Sequence, residues 1–252
     1  MIQISAVILT KNSEHYLQKV LESLQELDEV VVLDNGSEDS TLSIATQFQN
    51  VNIHQHPFIG FGKMKQLGAS LAKNDWILSI DSDEIASNAL IAELRHTHLE
   101  PHIAYSYEVK NFYQGQWVRC CGWDKDRCVG IYHRKYARFD DSEVHEKIIS
   151  LQGKLQTKPL QGFIEHYPFE NATEFLVKIK RYGELFAKQH IHHKYSSPIK
   201  AVTRSVWCFF KNYFLQRGFL HGYVGFVISS YNAQSVFWKY IILYELQQKT
   251  KS

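Results

Sequence analysis

Short apolar runs alternate with amphipathic stretches through the first hundred residues. "ISAVIL" (Ile4–Leu9) and "VVVL" (Val30–Leu33) are continuous apolar runs, as expected of strands buried on both faces. Between them Leu17, Val20, Leu21, Leu24 and Leu27 recur at helical spacing, with Asn12 or Ser13 placed to cap the helix. "DNGSEDS" then turns the chain into a helix carrying Leu42, Ala45 and Phe48. "VNIH" predicts a third strand, "IGFG" a turn, Lys63–Ala72 a helix and "DWILSI" a fourth strand. Strand–helix alternation of this kind predicts a parallel sheet layered by helices, whose ligands bind beyond the carboxyl ends of the strands. "DNGSED" and "SDE" fall at those ends.

The texture changes from Ile103. "IAYSYEV" alternates, "NFYQGQWV" predicts a hairpin near Gly115, and "VGIYH" and "EKIISL" predict further strands of an antiparallel or mixed section. After Pro168 the pattern is helical, with Phe175, Ile179, Tyr182 and Phe186 on one face and two more Trp- and Phe-rich segments beyond. The expected division is residues 1–168 as an α/β domain and 169–252 as a helical, basic and aromatic region.

Composition changes this picture in one respect. The 252 residues, 44% hydrophobic and 21% charged, are ordinary for a folded protein, and the net charge of +2 conceals an asymmetry. Residues 1–100 carry 14 acids and 6 bases, whereas Lys178–Arg217 carries nine bases and one acid, Glu184. A basic, aromatic-rich C-terminal part fits a solvated helix face, or an anionic partner such as a membrane surface or a phosphorylated substrate. The N-terminus lacks the basic, long apolar start of a signal peptide, and the charge-free stretch Gly218–Trp238 is too polar to span a bilayer. A cytoplasmic protein is therefore expected, its four cysteines reduced, because C-C-x6-C-x4-H is not an ordinary zinc spacing.

The chemistry concentrates in "SIDSDE" (Ser79–Glu84), three carboxylates in four residues. Like charges so close disfavour ionisation unless they diverge into water or share a cation. In extended chain Asp81 and Asp83 would point the same way, making a site for Mg²⁺ or Mn²⁺ completed by waters and a substrate diphosphate. The plain alternative is an acidic loop capping a helix that starts near Ser87. Asp34 sits at the matching end of another strand, where a carboxylate can accept the N3–H of uracil. Neither G-x-G-x-x-G nor a P-loop is present, so a nucleotide must be held by other means.

"VILTKNSE", "VVLDNGSEDST" and "DWILSIDSDE", in that order, resemble the family 2 glycosyltransferases of the GT-A fold. "GFGKMKQLGASLA", Gly122-Trp123, "VHEKI", His166-Tyr167 and "RGFLHGYVGF" extend the resemblance to the subfamily that adds a β-linked glucose to the inner-core heptose of bacterial lipopolysaccharide. The resemblance implies a Rossmann-like α/β fold with a mixed sheet and a helical C-terminal region. It implies inverting, metal-dependent transfer of a hexose from a UDP-sugar to a lipopolysaccharide core acceptor at the anionic inner-membrane surface, with no nucleic-acid partner. Thr10 and Glu14 would line the nucleotide pocket, Asp34 would read uracil, Lys65 would lie near the donor, and Asp81 and Asp83 would hold the ribose and the metal–diphosphate. Glu146 would be the general base, with His145, His166, Trp123 and Arg127 as further candidates. Two positions depart from the subfamily's pattern. Gln66 stands where relatives often have Asn, and Gly130 where they usually have Arg, a role that Arg127 or Arg134 would have to take. Other glycan or protein acceptors, another hexose, and a non-catalytic module binding UDP-sugar or membrane remain open; a nucleotidyltransferase lacks its Gly-rich, Arg-containing loop here.

Overall fold

The structure is a computed structural model and describes residues 3–124, 126–142, 146–169 and 171–250. The chain divides into two compact units, one of residues 1–109 and 126–166, the other of residues 110–125 and 167–252. Segment 110–125 thus departs from the expected division at residue 168. Its side chains pack with the helical unit: the Phe112 ring stacks on Tyr167 and Tyr113 packs against Phe175.

In the first unit, β1 (Ile4–Thr10), β2 (Glu29–Asp34), β3 (Val51–Gln55) and β4 (Trp76–Ser79) pair in parallel. Three helices connect them: α1 (Glu14–Ser23), α2 (Thr41–Ala45) and α3 (Phe61–Leu71). Beyond β4 come β5 (Glu84–Ala86), α4 (Asn88–His96), β6 (Ile103–Tyr113), β8 (Asp126–His133) and β11 (Gln156–His166). The sheet runs β3-β2-β1-β4-β8-β6-β11-β5, with β8 antiparallel to both β4 and β6. β9 (Ala137–Phe139) and β10 (Ile148–Ser150) form a separate two-stranded ribbon.

Alternation along β1 divides the core between the two faces of the sheet. Ile4, Ala6 and Ile8 join Leu17, Val20 and Leu21 of α1 and Leu90 and Leu94 of α4 in one cluster, whereas Val7 joins Val31, Ile77 and Ala69 on the other. Burial of such side chains contributes about 1.5–3 kcal/mol each, an upper estimate because unfolded chains already bury some surface. α4 begins at Ser87, whose hydroxyl accepts the Leu90 N–H, so the helix foreseen near Ser87 is capped by a serine rather than by the acids before it.

The second unit contains the hairpin of residues 111–118, in which β7 (Gln116–Trp117) pairs with the end of β6. Its helices are α5 (Ala172–His190), α6 (Pro198–Phe210) and α7 (Gly222–Lys249). A π-helical turn over Lys211–Leu215 and a 3-10 turn over Gly218–His221 link the last two. Among the described residues no helix is long and apolar enough to cross a membrane.

β11 was not foreseen as a strand. Pro159 interrupts it, yet Leu160, Gly162 and Ile164 alternate inward with the polar residues between them. A Cβ on Gly162 would lie 2.3 Å from Leu90 Cα and 2.6 Å from Leu90 N, both backbone atoms of α4 that no rotamer change can move. Gly162→Ala is expected to push α4 off β11 and cost about 1–3 kcal/mol, the range for overpacked cores. Denaturant unfolding checks this; a variant as stable as the parent would mean that α4 is not seated as described.

Candidate active site

The ends of β1 and β2 build the first part of the site. Asp34 is fully buried, and its carboxylate accepts bonds from the Thr10 and Ser37 hydroxyls and the Gly36 and Ser37 N–H groups. Burial alone would raise its pKa, but these donors outweigh it and hold Asp34 below the usual carboxylate value. All four acceptor positions are therefore in use. Asp34 shapes the turn after β2, and an added N3–H would have to displace one of those donors. Glu14 is exposed and accepts the Ser40 N–H, tying the start of α1 to the start of α2. Ser13 donates to the Ser82 hydroxyl at 2.9 Å and so joins this cluster to the acidic segment after β4.

That segment is a turn rather than an extension of the strand: β4 ends at Ser79 and the Glu84 N–H bonds to the Asp81 carbonyl. The expectation that Asp81 and Asp83 face the same way is corrected for that reason, since period-two alternation requires extended backbone. Each of the three acids finds its own compensation. Asp81 lies 3.2 Å from the Lys65 ammonium, and Asp83 lies 3.6 Å from Nε2 of His166 at the end of β11. Glu84 turns inward and accepts the Asp81 N–H at 2.9 Å. Burial first, then the charge of Asp81, pushes the Glu84 carboxyl up to about 7. Burial lowers the pKa of His166, but the bond to Asp83 and the neighbouring carboxylates outweigh it and the net shift is upward.

Lys65 is the hub. Its ammonium lies 2.8 Å from Glu146 as well as beside Asp81, and its side chain is only 12% exposed. Burial opposes its charge, but Asp81, Glu146 and Glu84 together raise its pKa above the ordinary lysine value. Glu146 is brought there by the loop after β9. The Asp140 N–H donates to the Lys147 carbonyl, and the Asp140 carboxylate accepts the Lys147 N–H. Gln66, one residue along α3 from Lys65, donates to the Phe139 carbonyl and to Asp141. The side chain at this departure from the subfamily's pattern therefore fastens α3 to the end of β9 and the turn after it.

Lys65, Asp81, Glu84, Arg127 and Glu146 line one cleft of about 440 Å³, with Tyr107, Cys128 and Gly130 among its walls. The sequence reading missed Glu84 although it stood in the same acidic run. Its signal was the crowding itself, since three adjacent carboxylates seldom all stay ionised and exposed.

The Gly130 departure also has a structural cause. A Cβ there would lie 2.4 Å from the Tyr107 hydroxyl and 2.7 Å from its ring, and that hydroxyl donates to the Ser79 carbonyl. Tyr107 occupies the space that a longer side chain at residue 130 would need. Of the two substitutes, Arg134 is committed to Asp75 and to the Ala69 and Ala72 carbonyls. Arg127 lies in the cleft wall, anchored to the Ser106 and Leu160 carbonyls. Trp123 belongs to the second unit and packs on Phe169 and Tyr231 in its aromatic core. His145 lies outside the described residues.

Among the described residues no three His, Cys, Asp or Glu side chains converge on one point. The Asp83–His166 pair still fits Mg²⁺ or Mn²⁺, which need only one or two protein donors when waters and phosphates complete the shell.

The acids after β4 lie beyond the carboxyl end of a parallel strand, where ligands of such sheets bind, and sequence comparison identifies the family. The profile of "Glycosyl transferase family 2" matches residues 5–143, more than half of the chain, which therefore belongs to that family and is a glycosyltransferase using a nucleotide sugar. An uncharacterized glycosyltransferase of Rickettsia prowazekii is 29% identical over 99% of this chain and 89% of its own length. The lipopolysaccharide core biosynthesis glycosyltransferase LpsC of Rhizobium meliloti is 27% identical over 75% of this chain and 72% of its own. Among solved structures, S. aureus TarS (1-349) aligns over 98% of this chain and 92% of its own, with 15% identity and a TM-score of 0.47.

Lys65→Met leaves Asp81, Glu84 and Glu146 without their shared cation. The expected loss at neutral pH is about 2–3 kcal/mol, below the full figure for a broken buried pair because Asp81 is half exposed. The raised lysine pKa makes the wild-type advantage fully present below about pH 10, lost only in alkali. At the acid end, the deficit should shrink as pH falls through about 7, where Glu84 takes up its proton and no longer needs the lysine charge. Denaturation of both proteins across this range checks the sign; a deficit that stays constant into acid would refute the electrostatic account.

Proposed function

We propose that this transferase moves glucose, with inversion, from UDP-glucose to a heptose of the lipopolysaccharide core, using Mg²⁺ or Mn²⁺, while attached peripherally to an anionic inner-membrane surface. The observation that carries the reading is the placement of Glu146 in the same cleft as Asp81, with Lys65 between them. The named role of the Rhizobium meliloti relative supports the acceptor class.

In this reading Thr10, Glu14 and Asp34 frame the uridine, and Asp34 takes the uracil N3–H in exchange for the bond from the Ser37 hydroxyl. Asp81 holds the ribose, and Asp83 with His166 holds the ion. The ion, when bound, neutralises charge developing on the departing diphosphate. Glu146 takes the proton from the acceptor hydroxyl; that oxygen bonds to the anomeric carbon as the bond to the diphosphate breaks on the opposite face. Lys65 holds the Glu146 carboxylate in position.

Asp140 and Asp141 are poor substitutes for that base. Asp140 accepts backbone N–H groups of Ser142 and Lys147, and Asp141 is paired with Gln66 and Arg138.

Glu146→Gln keeps the shape and removes the base. Turnover should fall about 10²–10⁴-fold while affinity for UDP-glucose stays close to wild type. Transfer at the parent rate would end the assignment of Glu146.

Asp83→Ala should abolish metal-dependent UDP binding without unfolding the protein. Titration of UDP at matched Mn²⁺ reads this directly, and equal affinity in the variant would misplace the ion. A thermal-shift panel of UDP-sugars identifies the donor, since ligand at a hundredfold its dissociation constant adds about 2.7 kcal/mol.

A further inference from the structure

We infer that one face of the second unit, formed by α6 and the turns that follow it, enters the interfacial region of an anionic lipid bilayer. This deepens the membrane part of the proposed function and rests on it, but is independent of donor, metal and base.

α6 starts cleanly, with Ser197 accepting the Lys200 N–H and Pro198 at its first turn. Its inner side is fastened to α7: Ala201 is buried, and the Ser205 hydroxyl donates to the Ala233 carbonyl. Its outer side is apolar. Ile199 is 77% exposed, and Val202, Val206 and Phe210 follow at spacings of three and four, placing all four on one stripe of the helix. Phe214 continues the stripe through the π-helical turn, and Leu220 is 65% exposed in the 3-10 turn beyond. Single exposed apolar residues need no explanation, but a contiguous run of large ones marks an interaction surface.

Charge selects the partner. Arg204, Lys211 and Arg217 are exposed along the same segment, and no Asp or Glu occurs anywhere from Leu185 to Tyr244. A second copy of this chain would bring bases against bases, so self-association through this face is opposed. An anionic surface satisfies both features, since headgroups meet the bases while Val206, Trp207 and Phe210 enter the acyl boundary. No described helix spans a bilayer, which leaves a helix lying in the interface plane. Each base near an anionic surface contributes about fivefold in affinity, so three contribute roughly a hundredfold before any apolar insertion.

The test is co-sedimentation of the full chain with phosphatidylcholine vesicles, with and without phosphatidylglycerol. The wild-type protein should bind the anionic vesicles and release at high salt. Val206→Ser with Phe210→Ser should weaken binding about tenfold or more. Arg204→Glu with Lys211→Glu should abolish the preference for phosphatidylglycerol. Brominated lipids should quench the fluorescence of Trp207, and a Trp207→Phe variant shows whether the quenched signal belongs to that residue. UDP-glucose hydrolysis without vesicles should be unchanged in these variants, which separates loss of attachment from loss of fold. Equal binding to neutral and anionic vesicles, or binding indifferent to all four substitutions, would overturn the inference. A concentration-dependent dimer dissolved by the serine substitutions would also overturn it, by assigning the face to a second copy. Loss of hydrolysis in Glu146→Gln with vesicle binding intact bears on the base alone; vesicle binding lost with hydrolysis intact bears on this face alone.

Discussion

Three carboxylates within four residues at the end of β4 are the constraint around which the site is built. Left in a shared environment, Asp81, Asp83 and Glu84 would each oppose the ionisation of the others. The fold separates them by turning the chain immediately after the strand, then gives each a different answer: a lysine from α3, a histidine from the end of β11, and burial. These answers come from distant parts of the sequence, so the acidic turn makes demands on much of the first unit. α3 must seat Lys65 at the strand ends, β11 must run far enough to deliver His166, and β5 must begin where Glu84 can turn inward.

Lys65 then connects that constraint to the chemistry. Its ammonium is withdrawn from water and shared between carboxylates that arrive from separate segments of the chain. The ammonium 2.8 Å from Glu146 fixes that carboxylate while compensating Asp81. The hydrogen bonds of Gln66 to the Phe139 carbonyl and Asp141 tie α3 to the end of β9 and the residues just after it. The geometry of the pair therefore depends on a neighbour that is not part of it. In the cleft wall, Tyr107 fills the space that a Cβ at residue 130 would need.

How much of this was readable in the sequence depends on how local the signal is. The four parallel strands and their helices were legible because buried runs and helical spacing are properties of a few neighbouring residues. β11 was hidden by Pro159 and by the glycine at its centre, although its inward alternation was present. The division at residue 168 failed for segment 110–125, because a hairpin's allegiance is decided by the aromatic rings it meets, Tyr167 and Phe175, and not by its own pattern. The same-side placement of Asp81 and Asp83 assumed extended backbone where the Glu84 N–H closes a turn on the Asp81 carbonyl.

The pairing of Lys65 with Glu146 shows where local reading ends. Each residue was singled out through its resemblance to the family's motifs, yet nothing in either motif states that the two touch. Their contact follows from α3 packing on the loop after β9, a relation between segments about eighty positions apart. Physical chemistry still points at it: a lysine almost wholly withdrawn from water either sheds its proton or gains anionic partners, and the raised pKa of Lys65 marks the second case. Once α3 buries Lys65, the question is only which acids face it. Asp81 is supplied by the adjacent strand end, and Glu146 by the loop after β9.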